Sequence, residues 1–107
     1  MGYDIIGYHR KTDEESIFHE MCMYAYEPVF KRCFGKDISA FNGRVTKQKI
    51  EEFKIGLSVF KSDKDNNRDH EQFPGYVSNI SYDKLCIRLS ELLELMENKQ
   101  VCYLSIW

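Results

Sequence analysis

The chain has 107 residues, 43% apolar and 14% aromatic, which suits one domain with its own core and excludes a disordered chain. Its 15 basic and 17 acidic residues leave a net charge of -2, so there is no general electrostatic pull toward nucleic acid or anionic membrane. No run approaches the roughly 18 consecutive apolar residues of a membrane span.

Tyr3-Asp4-Ile5-Ile6-Gly7-Tyr8-His9 opens the chain as a strand, and Val101-Cys102-Tyr103-Leu104-Ser105-Ile106-Trp107 closes it as another. Free termini fray. An end on Ile106 and Trp107 therefore predicts a tethered strand, and the natural tether is pairing between the first and last strands. The start carries Asp4 and lacks a basic flank before an apolar core, so no secretion leader is expected. Cys22, Cys33, Cys86 and Cys102 are widely and unevenly spaced among apolar residues. They read as free thiols of a cytoplasmic protein, not as a disulfide framework.

Between the ends the pattern reads mostly as helix. The first predicted helix covers residues 12–35. Thr12-Asp13-Glu14-Glu15 has the form of a capping box, Lys31 and Arg32 suit the far end of the dipole, and Gly35 suits a stop. Pro28 predicts a kink or break. Ile17, Phe18, Met21, Tyr24, Ala25 and Pro28 follow at helical spacing as the core stripe. Residues 36–45 contain Asn42-Gly43, a favoured centre for a tight hairpin, with a plain loop as the alternative.

The second predicted helix covers residues 46–61, with Ile50, Phe53, Leu57 and Phe60 as its apolar line. Gly56 sits inside it at a cost of about 1 kcal/mol relative to Ala, which marks close packing against a neighbour. Residues 62–72 read as a charged loop, Phe73-Pro74-Gly75 as a turn and residues 76–80 as a short extended segment. The third predicted helix starts at a Ser81 cap and ends at Asn98-Lys99. Leu85, Cys86, Leu89, Leu92, Leu93 and Met96 form its core stripe, with Glu91, Glu94 and Glu97 outside. The expected fold is α+β over residues 1–107: three main helices on a small sheet made by the terminal strands. Residues 38–45, residues 76–80 or a second copy of the chain would widen that sheet.

Four groups of residues bear on function. Glu15, His19, Met23, Tyr26 and Phe30 fall on one line of the first predicted helix, opposite its core stripe. A helix face carrying Met, Tyr and Phe reads either as a second buried face or as a partner surface. Arg44, Lys47, Lys54 and Lys61 make a cationic column that suits a polyanion, although Glu51 and Glu52 dilute it. Asp63-Lys64-Asp65-Asn66-Asn67 resembles the opening of an EF-hand calcium loop, but Arg68 and Pro74 replace its glycine and its bidentate glutamate. His19 and Cys22 lie three apart, with no second matched pair to complete a metal site.

No catalytic set, metal or cofactor is expected from these motifs. The reading that follows is a small non-enzymatic binding protein acting through protein contacts, as a regulator or inhibitor of the size carried by phages and mobile elements. Homodimerisation is expected from two grounds: exposed sheet edges and the second face of the first helix. The alternative is a binder of small molecules or nucleotides, or a small enzyme, with an aromatic-lined pocket and His9, Asp4 or Cys102 at its polar end.

Overall fold

The computed structural model describes residues 2–23, 26–62 and 81–107. Its elements are β1 (Gly2–Tyr8), β2 (Phe18–Met23), α1 (Glu27–Phe34), a 3-10 turn (Ile38–Phe41), β3 (Gly43–Arg44), α2 (Lys47–Ser62), α3 (Tyr82–Glu97) and β4 (Tyr103–Ile106). The four strands form one antiparallel sheet in the order β2-β1-β4-β3. Among the described residues three helices pack on it, and the fold is α+β.

The terminal strands pair as their sequences predict. Ile5 faces Ile106 and Gly7 faces Leu104, and beyond β4 the backbones of Asp4 and Trp107 exchange two hydrogen bonds (2.7 and 3.1 Å). Alternation then sorts the side chains. Ile5, Phe18, Leu104 and Ile106 turn toward the helices and are buried. Gly7 shares that side because a Cβ there would meet Val101 Cγ1 at 3.0 Å and Phe18 Cβ at 3.3 Å.

The main correction concerns residues 12–23. They form no helix. Asp13 closes a turn instead of opening one: its Oδ2 accepts from Arg10 N (2.9 Å) and its own N–H donates to Arg10 O (3.1 Å). Phe18 to Met23 then pair with the free edge of β1. Apolar residues at 17, 18 and 21 fit a helix as well as a strand, and the unpaired edge of β1 decides between them. Ile17 and Met21, assigned to the core stripe by the helical reading, are exposed, and so is Pro28. Pro28 starts a helix here instead of kinking one, as its fixed φ suits the first turn. Tyr24 and Ala25 lie outside the described residues, as do residues 63–80, which hold most of the charged loop, the Phe73-Pro74-Gly75 turn and the extended segment.

Asn42-Gly43 makes no hairpin turn. Gly43 enters β3 with φ at 97°, and β3 pairs with the distant β4. Asn42 extends that pairing with its side chain: Nδ2 donates to Ile106 O (2.8 Å), and Oδ1 accepts from Ile106 N. Residues 38–45 therefore widen the sheet through β3, as one of the expectations had it, and β2 widens it at the other edge where a helix was expected.

α2 and α3 lie close to their predicted bounds. Thr46 Oγ1 accepts from Lys49 N (3.2 Å) and Ser81 Oγ from Lys84 N (3.2 Å), so a hydroxyl caps each start. Leu85, Leu89, Leu92 and Met96 are buried, with Cys86 and Leu93 at the margin. Tyr82 adds to this core. Its ring packs on Phe60 (5.0 Å between centroids) and its hydroxyl donates to Phe60 O (2.6 Å), supplying a partner to a carbonyl at the end of α2. Cys33, Cys86 and Cys102 are free thiols.

Gly56 faces Phe34 of α1. A Cβ there would lie 2.0 Å from Phe34 Cδ1, and Phe34 is itself wedged against Phe41 and Phe53. Helix propensity alone would make Gly56→Ala stabilising by about 1 kcal/mol. The contact reverses the sign: Gly56→Ala is expected to destabilise by about 2 kcal/mol, measured by urea unfolding.

Arg88 ties α3 to β2. Its guanidinium stacks 4.4 Å from the Phe18 ring centroid, and Nε donates to Glu20 Oε1 (2.9 Å), Nη2 to His19 O (3.0 Å) and Nη1 to Glu91. Burial works against its charge, but the two carboxylates outweigh it and hold its pKa above the ordinary arginine value. Arg88→Ala is expected to cost about 2 kcal/mol in urea unfolding, with Arg88→Lys restoring only a fraction, because an ammonium lacks the planar fork that reaches three acceptors.

Candidate functional site

Alternation leaves one face of the sheet turned away from the described helices. Asp4, Ile6 and Tyr8 of β1 stand on it, opposite Met21, His19 and, from β4, Ser105 and Tyr103. Trp107, which pairs with Asp4 through the backbone, joins them. Among the described residues no element covers this face. Trp107 is 71% exposed and Met21 57%, while Ile6, Tyr8 and Tyr103 are half-buried. A solvated sheet face ordinarily carries polar residues. This one carries one Trp, two Tyr, one Ile and one Met beside the His19 Nε2–Asp4 Oδ1 pair (3.1 Å) and Ser105, with Arg44 of β3 opposite Tyr103 at its margin.

The edges of the sheet are guarded. At β3, Lys49 Nζ donates to Asn42 O (2.7 Å) and Arg44 O (2.9 Å). At β2, Arg88 holds His19 O, and Glu20 Oε2 accepts from Met21 N (3.1 Å). These side chains occupy backbone groups that an added strand would need.

The partner line expected from the sequence is not a face. Glu15 lies exposed in the β1–β2 connection, His19 stands on the open sheet face, and Met23 ends β2. Tyr26 and Phe30 are 1% and 0% exposed and stack on each other in the core. The helical spacing that united these residues does not exist upstream of Glu27. His19 belongs to the surface described above.

The cationic column divides. Arg44 and Lys47 stand at the end of the sheet where β4 begins, beside two clefts. One, of about 520 Å³, is lined by His9, Lys11, Gly43, Arg44, Cys102 and Tyr103. The other, of about 510 Å³, is lined by Arg44, Lys47, Glu97, Lys99 and Cys102 over apolar Val45, Ile50, Met96 and Val101. Lys54 is exposed further along α2, and Lys61 borders a separate cleft with Glu91 and Glu94.

His9 and Cys102 do reach the same cleft, as strand pairing suggests. They do not bond to each other: His9 Nδ1 donates to Gln100 O (3.2 Å) and Cys102 Sγ to Lys99 O (3.3 Å). Asp4 belongs to the opposite end of β1 and pairs with His19. Among the described residues no group of three His, Cys, Asp or Glu side chains is placed to hold a metal. The calcium-like loop lies outside the described residues. None of the described helices is long and apolar enough to cross a membrane.

No motif marks Trp107, Tyr103 or Tyr8 as surface residues, and Met21 fits a helical core stripe as well as a strand. The signal was present in the period-two pattern of β4, which sets Tyr103, Ser105 and Trp107 on the side away from Leu104 and Ile106. Comparison with protein-family models, curated proteins and solved structures gives no match.

Proposed function

We propose that this is a small non-enzymatic binding protein, a regulator or inhibitor that holds another protein on the open face of its sheet. The observation that carries the reading is the composition of that face. Trp, Tyr and Met are enriched at interface cores, and a contiguous apolar patch rimmed by polar groups marks a contact site. Trp107 supplies a large rigid anchor, and Met21 an adaptable one. The His19–Asp4 pair gives one polar contact to set register. A homodimer is the second-copy form of the same reading. It rests now on this face, since guarded edges and the buried Tyr26 and Phe30 remove the two grounds first expected for it.

The double substitution Met21→Asp with Trp107→Asp places two carboxylates on the face while leaving the helix-facing core intact. The variant should keep the wild-type circular dichroism spectrum. Affinity purification from the native cell should recover a stoichiometric partner with the wild type and lose it with the variant. Light scattering at micromolar concentration reads the homodimer in the same pair of proteins. A partner or dimer retained by the folded variant would place the contact elsewhere.

A further inference from the structure

We propose a second binding site, adjoining the open sheet face at Tyr103, at the twin clefts beside Arg44: a site for a small ligand that carries a polyphosphate and a planar ring, the chemistry of a nucleoside triphosphate. Lys11, Arg44, Lys47 and Lys99 border the two clefts, which meet at Arg44 and Cys102. None of the four has a carboxylate within ion-pair distance among the described residues. Elsewhere Lys31, Lys36 and Arg88 pair with Glu27, Glu52 and Glu20. A chain with net charge -2 has acids to spare, yet among the described residues Glu97 is the one acid that lines either cleft. Gathered, unpaired like charges in concave surface raise the local concentration of anions.

Three of those cations come from unrelated places: the β1–β2 connection, the start of α2 and the turn after α3. Lys99 sits in that turn with φ at 60°, a left-handed conformation that is unfavourable for a side-chain-bearing residue and that Gly would take freely. The fold thus carries a cation where backbone geometry favours none.

The shape selects a compact ligand over a polymer. A strand of nucleic acid needs cations at continuing intervals. Here the column stops, because Lys61 stands beside Glu91 and Glu94. The two clefts, of about 510 and 520 Å³, are each of small-molecule size. They differ in character. The first offers the Tyr103 ring, with Lys11 Nζ 6.0 Å from its centroid, and the His9 imidazole. These are stacking and hydrogen-bonding partners for a base. The second offers Lys47 and Lys99, and Arg44 on the ridge between them reaches phosphate oxygens from either side.

Calorimetric titration of the full chain with ATP, tripolyphosphate and adenosine tests the site. ATP should bind once per chain, tripolyphosphate more weakly, and adenosine more weakly still. Arg44→Glu with Lys99→Glu should weaken ATP by about tenfold or more, the size of one or two lost charge-assisted contacts. Tyr103→Ala should weaken ATP and leave tripolyphosphate unchanged. Lys54→Glu with Lys61→Glu serves as the matched change of charge outside the clefts and should leave both affinities unchanged. All substituted side chains are exposed or at the margin, and circular dichroism checks their folding. Failure of the wild type to bind ATP or tripolyphosphate at millimolar concentration would overturn the proposal. So would equal losses in the two charge-reversal variants, which would mean diffuse attraction without a site.

Discussion

The central position of β1 is the constraint on which the other elements depend. A strand with neighbours on both edges satisfies its backbone only if two further segments come to it. β4 arrives from the far end of the chain and β2 from a stretch whose apolar spacing serves a helix equally well. Once both are seated, every inward side chain of the sheet is assigned, and the helices have one apolar surface on which to collect. Packing of α1 on α2 and α2 on α3 then fills the layer with aromatic rings. Phe34, Phe41 and Phe53 meet within 5.8 Å of one another, and Phe30, Phe60 and Tyr26 continue the cluster.

Legibility in the sequence follows the range of the determining interaction. α2 and α3 are set by local periodicity and by hydroxyl caps on Thr46 and Ser81, and both were readable. The pairing of the terminal strands was readable because both carry period-two apolar residues, Ile5 in one and Leu104 and Ile106 in the other, that need burial on one side of a sheet. β2 was not, because what makes it a strand is the edge of β1, and because its alternation is irregular. Glu20 points inward, where Arg88 donates to its carboxylate, and Met21 points outward. Asn42 was marked by residue type and misread in use: its amide takes the place of a backbone unit. Arg44 and Lys47 were visible as cations, but Lys11 and Lys99 join them only through tertiary folding.

The two surfaces divide the outside of the molecule by chemistry. The open sheet face is mainly aromatic and apolar, while the clefts at the start of β4 are cationic. Tyr103 belongs to both, since it stands opposite Tyr8 on the face and lines the cleft beside Lys11. Contact on one surface therefore bears on the other through a single ring.

Tyr82 has a further effect that concerns covalent continuity. Its hydroxyl reaches the carbonyls of Phe60 and Lys61 (2.6 and 3.2 Å), so the last turn of α2 and the first turn of α3 are pinned to each other. Ser62 and Ser81, the two ends of the described stretches, are thereby held near each other. By the same reasoning the molecule is divisible there. A piece ending after α2 would hold three of the four strands, and a piece beginning at Ser81 would hold α3 and β4. The β1–β4 ladder and the Tyr82 bond are the features by which two such pieces would recognise one another, which makes this junction the place in the fold suited to fragment complementation.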